Sequence, residues 1–321
     1  MTKVLLIALA GALLTEYSMD ELKSILVMQG FAGISQFSVF LLMALGLAII
    51  FGQMGVINMA HGEFMTIGAY ATVGASLIAH KILPAALFGW YFPFAMLLAF
   101  GVAFIIGWLT EYLMIRHLYH RPLDTLLATF GLSMILQETF RQIFGARETS
   151  STIPEWLLGS LQPAEGIDIP INGLFLLGVT FFMTLLVYLL MYKSRWGLRV
   201  RATVLNRTMA GAVGINTKGT DRMTFALGCG IAGIAGAAFT TIGSVSPSAG
   251  SLYIVDTFLV VVFGGAGSLL GTILSAFGIA QAHSIIEFFL SGVLAKILVL
   301  SAVIIILMIR PQGLVAQKIR K

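Results

Sequence analysis

An amide, an imidazole and a carboxylate fall within six residues at Asn58, His61 and Glu63, inside Gly52-Gln-Met-Gly-Val-Ile-Asn-Met-Ala-His-Gly-Glu63 and between two strongly apolar stretches. A charged side chain in hydrocarbon costs about 2.5–3.5 kcal/mol even on lenient insertion scales, so Glu63 must face protein, water or a headgroup. Asn58 and His61 are three apart and share a face if that stretch is helical. A second set is Thr125, Thr129, Ser133, Gln137 and Arg141, with Glu138 beside it. Each step of four advances about 400° around a helix, so these side chains form one slowly winding polar stripe. Ser and Thr can bond back to their own helix, but Gln137 and Glu138 are harder to explain that way. Such donors and acceptors suit a path for a polar solute, while His61 and Glu63 fit a helix-anchoring pair equally well.

The elements that carry these residues follow from composition. Of 321 residues, 58% are hydrophobic and 10% charged, with a mean hydropathy of +0.97. Soluble domains run at about 25% charged, so an all-α polytopic membrane protein is expected. Disorder is excluded by the hydrophobicity, and a disulfide scaffold or multi-thiolate metal site by the single Cys229. The net charge of +5 is an orientation signal and not a nucleic-acid surface. Lys193, Arg195, Arg199, Arg201, Arg207, Lys218 and Arg222 share one hydrophilic segment, Arg116 and Arg121 flank a short loop, and Arg310, Lys318, Arg320 and Lys321 close the chain. With all three regions cytoplasmic, about nine passages thread between them, at 34–51, 61–79, 93–115, 123–145, 174–192, 223–243, 254–264, 268–288 and 293–309.

Three stretches depart from smooth spanning helices. Residues 1–24 read as a signal-like or short anchor segment ahead of a permeating domain at 25–315, with 316–321 a basic tail. The mostly apolar run between Gly250 and Gly264-Gly-Ala-Gly-Ser268 is about ten residues long, half the thickness of a bilayer core, which makes it a broken or re-entrant half-helix. Gly145 to Gly173, rich in Pro and acidic residues, reads as an external loop. In 223–243, Gly228, Ala232 and Gly236 with Cys229, Gly233 and Ala237 form a small-residue face for close helix packing.

Several chemistries are missing. No Gly-x-x-x-x-Gly-Lys-Ser/Thr is present, so nucleotide hydrolysis is not expected of this chain. Gly131-Leu-Ser-Met134 lacks the second glycine and a base for a nucleophile turn, and His61 with Glu63 and the distant His283 make no metal set. No enzyme activity, cofactor or nucleic-acid partner is expected. Within 193–222, Asn206 can N-cap a short helix that Gly214 stops in the left-handed conformation, leaving Met209, Val213 and Ile215 as an apolar face on a polar loop. Such a capped helix is what a soluble motor subunit could grip.

The stretch from Gly46-Leu-Ala-Ile-Ile-Phe-Gly to Glu63-Phe64 and Gly68-Ala-Tyr70 resembles the first signature of branched-chain amino-acid-type permeases of ATP-binding-cassette importers. Gly197 to Gly214, Phe225 to Gly236, Gly264-Gly-Ala-Gly-Ser268 and Arg310-Pro-Gln-Gly-Leu314 continue the likeness in order over residues 28–315. Within that family, Arg116 to Ser133 and Asn206-Arg-Thr-Met-Ala210 resemble the urea permease subunit more than its amino-acid counterpart. The resemblance implies a urea or short-amide permease in a bacterial inner membrane with its C-terminus cytoplasmic. A branched-chain amino-acid permease and a passive urea channel are the alternatives. It further implies a second homologous permease subunit, two ATPase subunits, an extracytoplasmic solute-binding protein and a lipid surround. Asn58, His61, Glu63, Thr66, Thr129, Ser133, Gln137 and Glu138 are the expected path. Arg201, Asn206, Met209, Ala210, Gly214 and Ile215 are the expected coupling segment.

Overall fold

The computed structural model describes residues 19–315 except 83, 85–87, 120, 165, 166 and 266. The signal-like residues 1–15 and the tail at 316–321 lie outside them. The described residues form α1 (Met19–Met54), α2 (His61–Ile82), α3 (Tyr91–Leu113), α4 (Pro122–Phe144), α5 (Ile171–Tyr188), α6 (Arg195–Leu205), α7 (Arg207–Ala212), α8 (Thr217–Phe239), α9 (Ala249–Gly264), α10 (Leu269–Phe289) and α11 (Gly292–Ile309). Among them, six helices are long and apolar enough to cross a membrane, namely α1, α3, α5, α8, α10 and α11. α2 and α4 have the length but carry more polar groups, and α9 is shorter.

α1 corrects the expected first span at 34–51. Its 36 residues rise about 54 Å, far beyond a bilayer core of about 30 Å, and the helix runs through the boundary placed at residue 24. The first half of α1 carries Gln29, Gly30, Gly33 and Gln36, and α10 packs against it. The Ser284 hydroxyl donates to the Gln29 carbonyl at 2.8 Å, the Gln281 amide to Gly30 at 3.1 Å, and Gln36 meets His283 at 3.3 Å.

α8 is the central post, and its small residues explain why. Gly228 lies against the Gly46 backbone of α1, Gly233 against Gly68 of α2 and Ala99 of α3, and Gly236 against the Met65 carbonyl, so a Cβ at any of them would overlap a neighbouring backbone. The expected small-residue face is therefore a packing surface on three sides. α3, α5 and α11 stand at the periphery with apolar side chains outward, among them Phe94, Leu97, Phe181, Val293 and Ile305.

The segment from Gly145 to Gly173 contains β structure that the sequence did not announce. Ser160–Ala164 pairs antiparallel with Ile167–Pro170 after a 3₁₀ turn at Glu155–Leu157. Thr149 and Val245 exchange backbone hydrogen bonds at 2.9 and 2.7 Å, and the Trp156 indole donates to the Gly89 carbonyl at 2.6 Å.

At the opposite end the basic residues gather. Gly52 abuts Gly267, and the segment after α11 folds back so that the Leu314 N–H reaches the Phe263 carbonyl at 2.7 Å and the Val315 N–H reaches Gly264 at 3.3 Å. Gly265 and Gly313 take φ of +97° and +73°, the left-handed region open to glycine. The two glycine motifs at 264–268 and 310–314 are thus one structure, a cap on the end of α9.

Candidate functional site

α9 is a 16-residue helix, longer than the ten residues expected, because it begins at Ala249 and so adds residues 249–253 ahead of the span expected at 254–264. At about 24 Å it still falls short of a bilayer core. Its first turn meets the first turn of α2. Gly250 and Gly62 lie backbone to backbone, and the Gly250 N–H donates to Thr66 Oγ1 at 2.9 Å. This meeting is deep in the bundle, since His61 Nε2 lies 3.2 Å from the Met43 carbonyl, eleven residues before the end of α1. After Met54 the chain therefore turns back along α1 through the non-helical residues 55–60 before α2 begins. Gly55, at φ +64°, makes that reversal possible.

Asn58 is not helical and so shares no helix face with His61. Its Oδ1 instead accepts from the Ala60 N–H at 3.1 Å and its carbonyl from the His61 N–H at 3.2 Å, which nucleates α2. His61 points to α1 and Glu63 to α4, as residues two apart on a helix must. Glu63 Oε1 accepts from the Ser133 hydroxyl at 3.0 Å and the Gln137 amide at 2.8 Å, and that amide also touches Ser133 Oγ at 3.1 Å. Thr129 Oγ1 accepts from the Met59 N–H at 3.1 Å. The polar stripe of α4 is thus a seam against the non-helical segment and α2, while Leu123, Leu127, Met134 and Ile135 face outward. Asn58, His61, Glu63, Thr66, Thr129 and Ser133 are all buried.

The seam leaves atoms over. Asn58 Nδ2, His61 Nδ1 and Glu63 Oε2 are buried and have no hydrogen-bond partner among the described residues. Buried polar atoms are seldom left so, and three within six residues set this turn apart. Glu138 does not belong to this group. It is exposed and pairs with Arg141 at 2.8 Å and Gln142 at 3.1 Å on the outer side of α4, because the residue after Gln137 is turned about 100° away.

The short helix expected after Asn206 forms as its sequence requires. Asn206 Oδ1 accepts from the Met209 N–H at 2.9 Å, and Gly214, at φ +87°, ends the helix with the Ile215 N–H on the Ala210 carbonyl at 3.0 Å and its own N–H on Gly211 at 3.0 Å. This is a six-to-one and five-to-two pair of bonds around a left-handed glycine. Met209 and Val213 are exposed, 64% and 76%, and Ile215 is half-buried. Ala210 is buried, so it seats α7 on the bundle and is not part of the exposed face. Arg201 is not on α7. It sits on α6, donates to the Met191 carbonyl and lines a cavity with Gln53.

Two buried carboxylates that sequence reasoning passed over tie α7 to the helices. Asp221 pairs with Arg207, the first residue of α7, and accepts from the Gln53 amide of α1 at 3.2 Å. Glu111 accepts from Arg222 Nε at 2.8 Å and from the Tyr119 hydroxyl, and Arg207 stands 5.4 Å from the Tyr119 ring. Burial and the Glu111 carboxylate push the Tyr119 phenol above its usual pKa. The only hint was acidic residues placed among basic ones, Asp221 before Arg222 and Glu111 ahead of Arg116.

The profile of a family described as branched-chain amino acid transport system, permease component, matches residues 30–309. The chain is 27% identical over 297 residues to the high-affinity branched-chain amino acid transport system permease protein LivH of Escherichia coli K12, covering 90% of this chain and 95% of that one. It is 28% identical over 299 residues to BraD of Pseudomonas aeruginosa, of the same description, covering 89% and 94%. A fructose import permease, FrcC of Rhizobium meliloti, is 29% identical over 227 residues, 66% of this chain and 61% of that one. No solved structure matches significantly. The expectation of urea finds no support among these relatives. From a match spanning both the α2–α4 seam and the α7 segment, it follows that the chain belongs to the branched-chain amino acid transport system permease component family.

Proposed function

We propose that this chain is the membrane-spanning subunit of an ATP-driven importer that carries branched-chain amino acids. The observation that carries the reading is the family match over residues 30–309, joined to a capped helix, α7, that presents Met209 and Val213 while ion-paired to the bundle through Arg207. Coverage of 90% of this chain by relatives named as branched-chain amino acid permeases favours that solute over urea. In this reading α2, α4 and α9 complete nine passages with the six longer helices. The basic end, with α7, faces the cytoplasm of a bacterial inner membrane. ATP hydrolysis belongs to two partner ATPase subunits that grip α7. A second, homologous permease subunit completes the pore, and an extracytoplasmic binding protein loads it from the side of the β hairpin.

Within the pore, the start of α2, the start of α9 and the α4 stripe form the path. Two helix N-termini meet there, and the positive ends of their dipoles favour the carboxylate of an amino acid. Asn58, Glu63, Thr66, Ser133 and Gln137 exchange hydrogen bonds with the solute as it passes, which the leftover atoms of Asn58, His61 and Glu63 support. An ion-coupled carrier that works through Asp256 or Glu138 is disfavoured, because both carboxylates are held in ion pairs. Asp256 is paired with Lys296 at 2.7 Å and Glu138 with Arg141 at 2.8 Å. Affinity purification of the tagged chain from its own membranes tests the assembly. An ATPase subunit carrying a Walker motif should co-purify, and isolation of the chain alone, with the ATPase elsewhere, would oppose the reading.

A further inference from the structure

At the basic end a cavity of ≈ 280 Å³ opens between α1, α6, the start of α10 and a π-helical turn, Leu189–Lys193, that follows α5. Its wall is aliphatic, built by Leu45, Ile49, Val187, Val200, Val204 and Leu269. Gln53, Tyr192 and Arg201 break that wall. The volume is close to the lower end of small-molecule pockets, about 300–1,000 Å³, and an apolar lining with a few convergent polar groups is how such pockets are made.

Three observations raise this cavity above a packing defect. The π turn that ends α5 supplies Met191 and Tyr192 to the lining, and its Met191 carbonyl is the acceptor for Arg201. A cation stands in an otherwise aliphatic lining. The Arg201 guanidinium donates to the Met191 carbonyl and lies 5.6 Å from the Tyr192 ring centroid, so its plane is held. A guanidinium has five N–H donors in a fork that matches a carboxylate. Finally, Gln53 reaches from the wall to Asp221 at 3.2 Å, and Asp221 holds Arg207 at the start of α7.

We infer that this cavity is a solute site on the release side of the permease, shaped for one aliphatic amino acid. The branched alkyl group lies against the aliphatic wall and the carboxylate meets Arg201. The ammonium group keeps its water at the open mouth. Urea, with no apolar body, would leave the aliphatic wall unfilled, whereas a burial worth about 25 cal/mol per Å² favours an alkyl solute. The inference rests on the permease reading above and adds a site and its reader, Arg201. Through Gln53 and Asp221 the site sits two hydrogen-bonded contacts from α7, so its filling is felt where the ATPase is proposed to grip.

Cysteine protection in inside-out vesicles holding the whole importer tests it. Cys229 is fully buried, so Leu269→Cys, or Ala48→Cys deeper in the wall, reports the cavity. With saturating L-leucine, alkylation by a soluble maleimide should slow about fivefold or more, as site occupancy requires. Urea and isopentylamine, which lacks the carboxylate, should protect far less, and Arg201→Gln should abolish protection by leucine. Labelling that leucine leaves unchanged, as an acyl chain in the cavity would give, overturns the site. Failure of both cysteines to react overturns it too, and full protection in Arg201→Gln overturns the role of Arg201. Leucine uptake is followed in right-side-out vesicles of the same importer, with ATP inside and the binding protein outside. ATP-driven uptake without protection sinks the cavity alone, whereas no leucine uptake by the unmodified importer sinks the permease reading.

Discussion

The Gln137 amide donates to Glu63 Oε1 at 2.8 Å, joining the middle of α4 to the first turn of α2 across the deepest polar seam of the bundle. Ser133 supports the same oxygen at 3.0 Å. Gln137→Leu removes one of the two donors to a buried carboxylate, which costs about 1–3 kcal/mol where the acceptor is left short of partners. Transport should fall about tenfold while the complex still assembles. Asn58→Leu, which removes the bond that nucleates α2, should do the same. Uptake at the unmodified rate by both variants would remove the seam from the path.

Met209→Glu places a charge on the exposed face of α7 without touching the bundle, because Met209 is 64% exposed. ATP hydrolysis should continue in reconstituted vesicles while solute uptake per ATP drops about tenfold or more. Ala210 is a poorer probe, since it is buried and a large residue there would unseat α7. Hydrolysis and uptake that fall together in Met209→Glu would show a loss of assembly, not of coupling.

Asp221→Ala leaves Arg207 and Gln53 without their shared carboxylate. Removing one partner of a buried pair costs about 3–5 kcal/mol, and less here because the Arg207 side chain is 43% exposed. The detergent-solubilised protein should unfold several degrees lower. Arg222→Ala should cost more than Arg207→Ala, as Arg222 is 22% exposed and its carboxylate, Glu111, is as buried as Asp221. Equal melting temperatures for the two arginine variants would contradict this ranking.

Gly68→Val would drive a side chain into the Gly233 backbone, whereas Gly101→Ala meets open space. Overpacking at a helix crossing costs about 1–3 kcal/mol or more, while Gly to Ala in a helix gains up to about 1 kcal/mol. Thermal stability should therefore fall for the first and hold or rise for the second. A stable Gly68→Val would mean that α2 and α8 do not approach as closely as described.

What was legible in the sequence was local. The cap of α7 at Asn206 and its stop at Gly214 follow from short-range chemistry, and both form. The four-residue polar stripe of α4 was visible as a stripe, and Ser133 and Gln137 do act together, but Glu138 had to be sorted out by which neighbour each face met. The length of α1 was hidden because its polar first half is satisfied by α10, some 250 residues away. The Glu111 and Asp221 hubs were hidden for the same reason, since each pairs with groups brought in by other helices. The β hairpin at 160–170 escaped because its segment read only as a polar connector between apolar spans.

Solute and energy source are measured together in vesicles that hold the whole importer with its binding protein. L-Leucine uptake should stop on ATP depletion, survive a proton ionophore and exceed urea uptake by about tenfold or more. Uptake that persists without the ATPase subunits, collapses with the proton gradient, or favours urea over leucine would contradict the account.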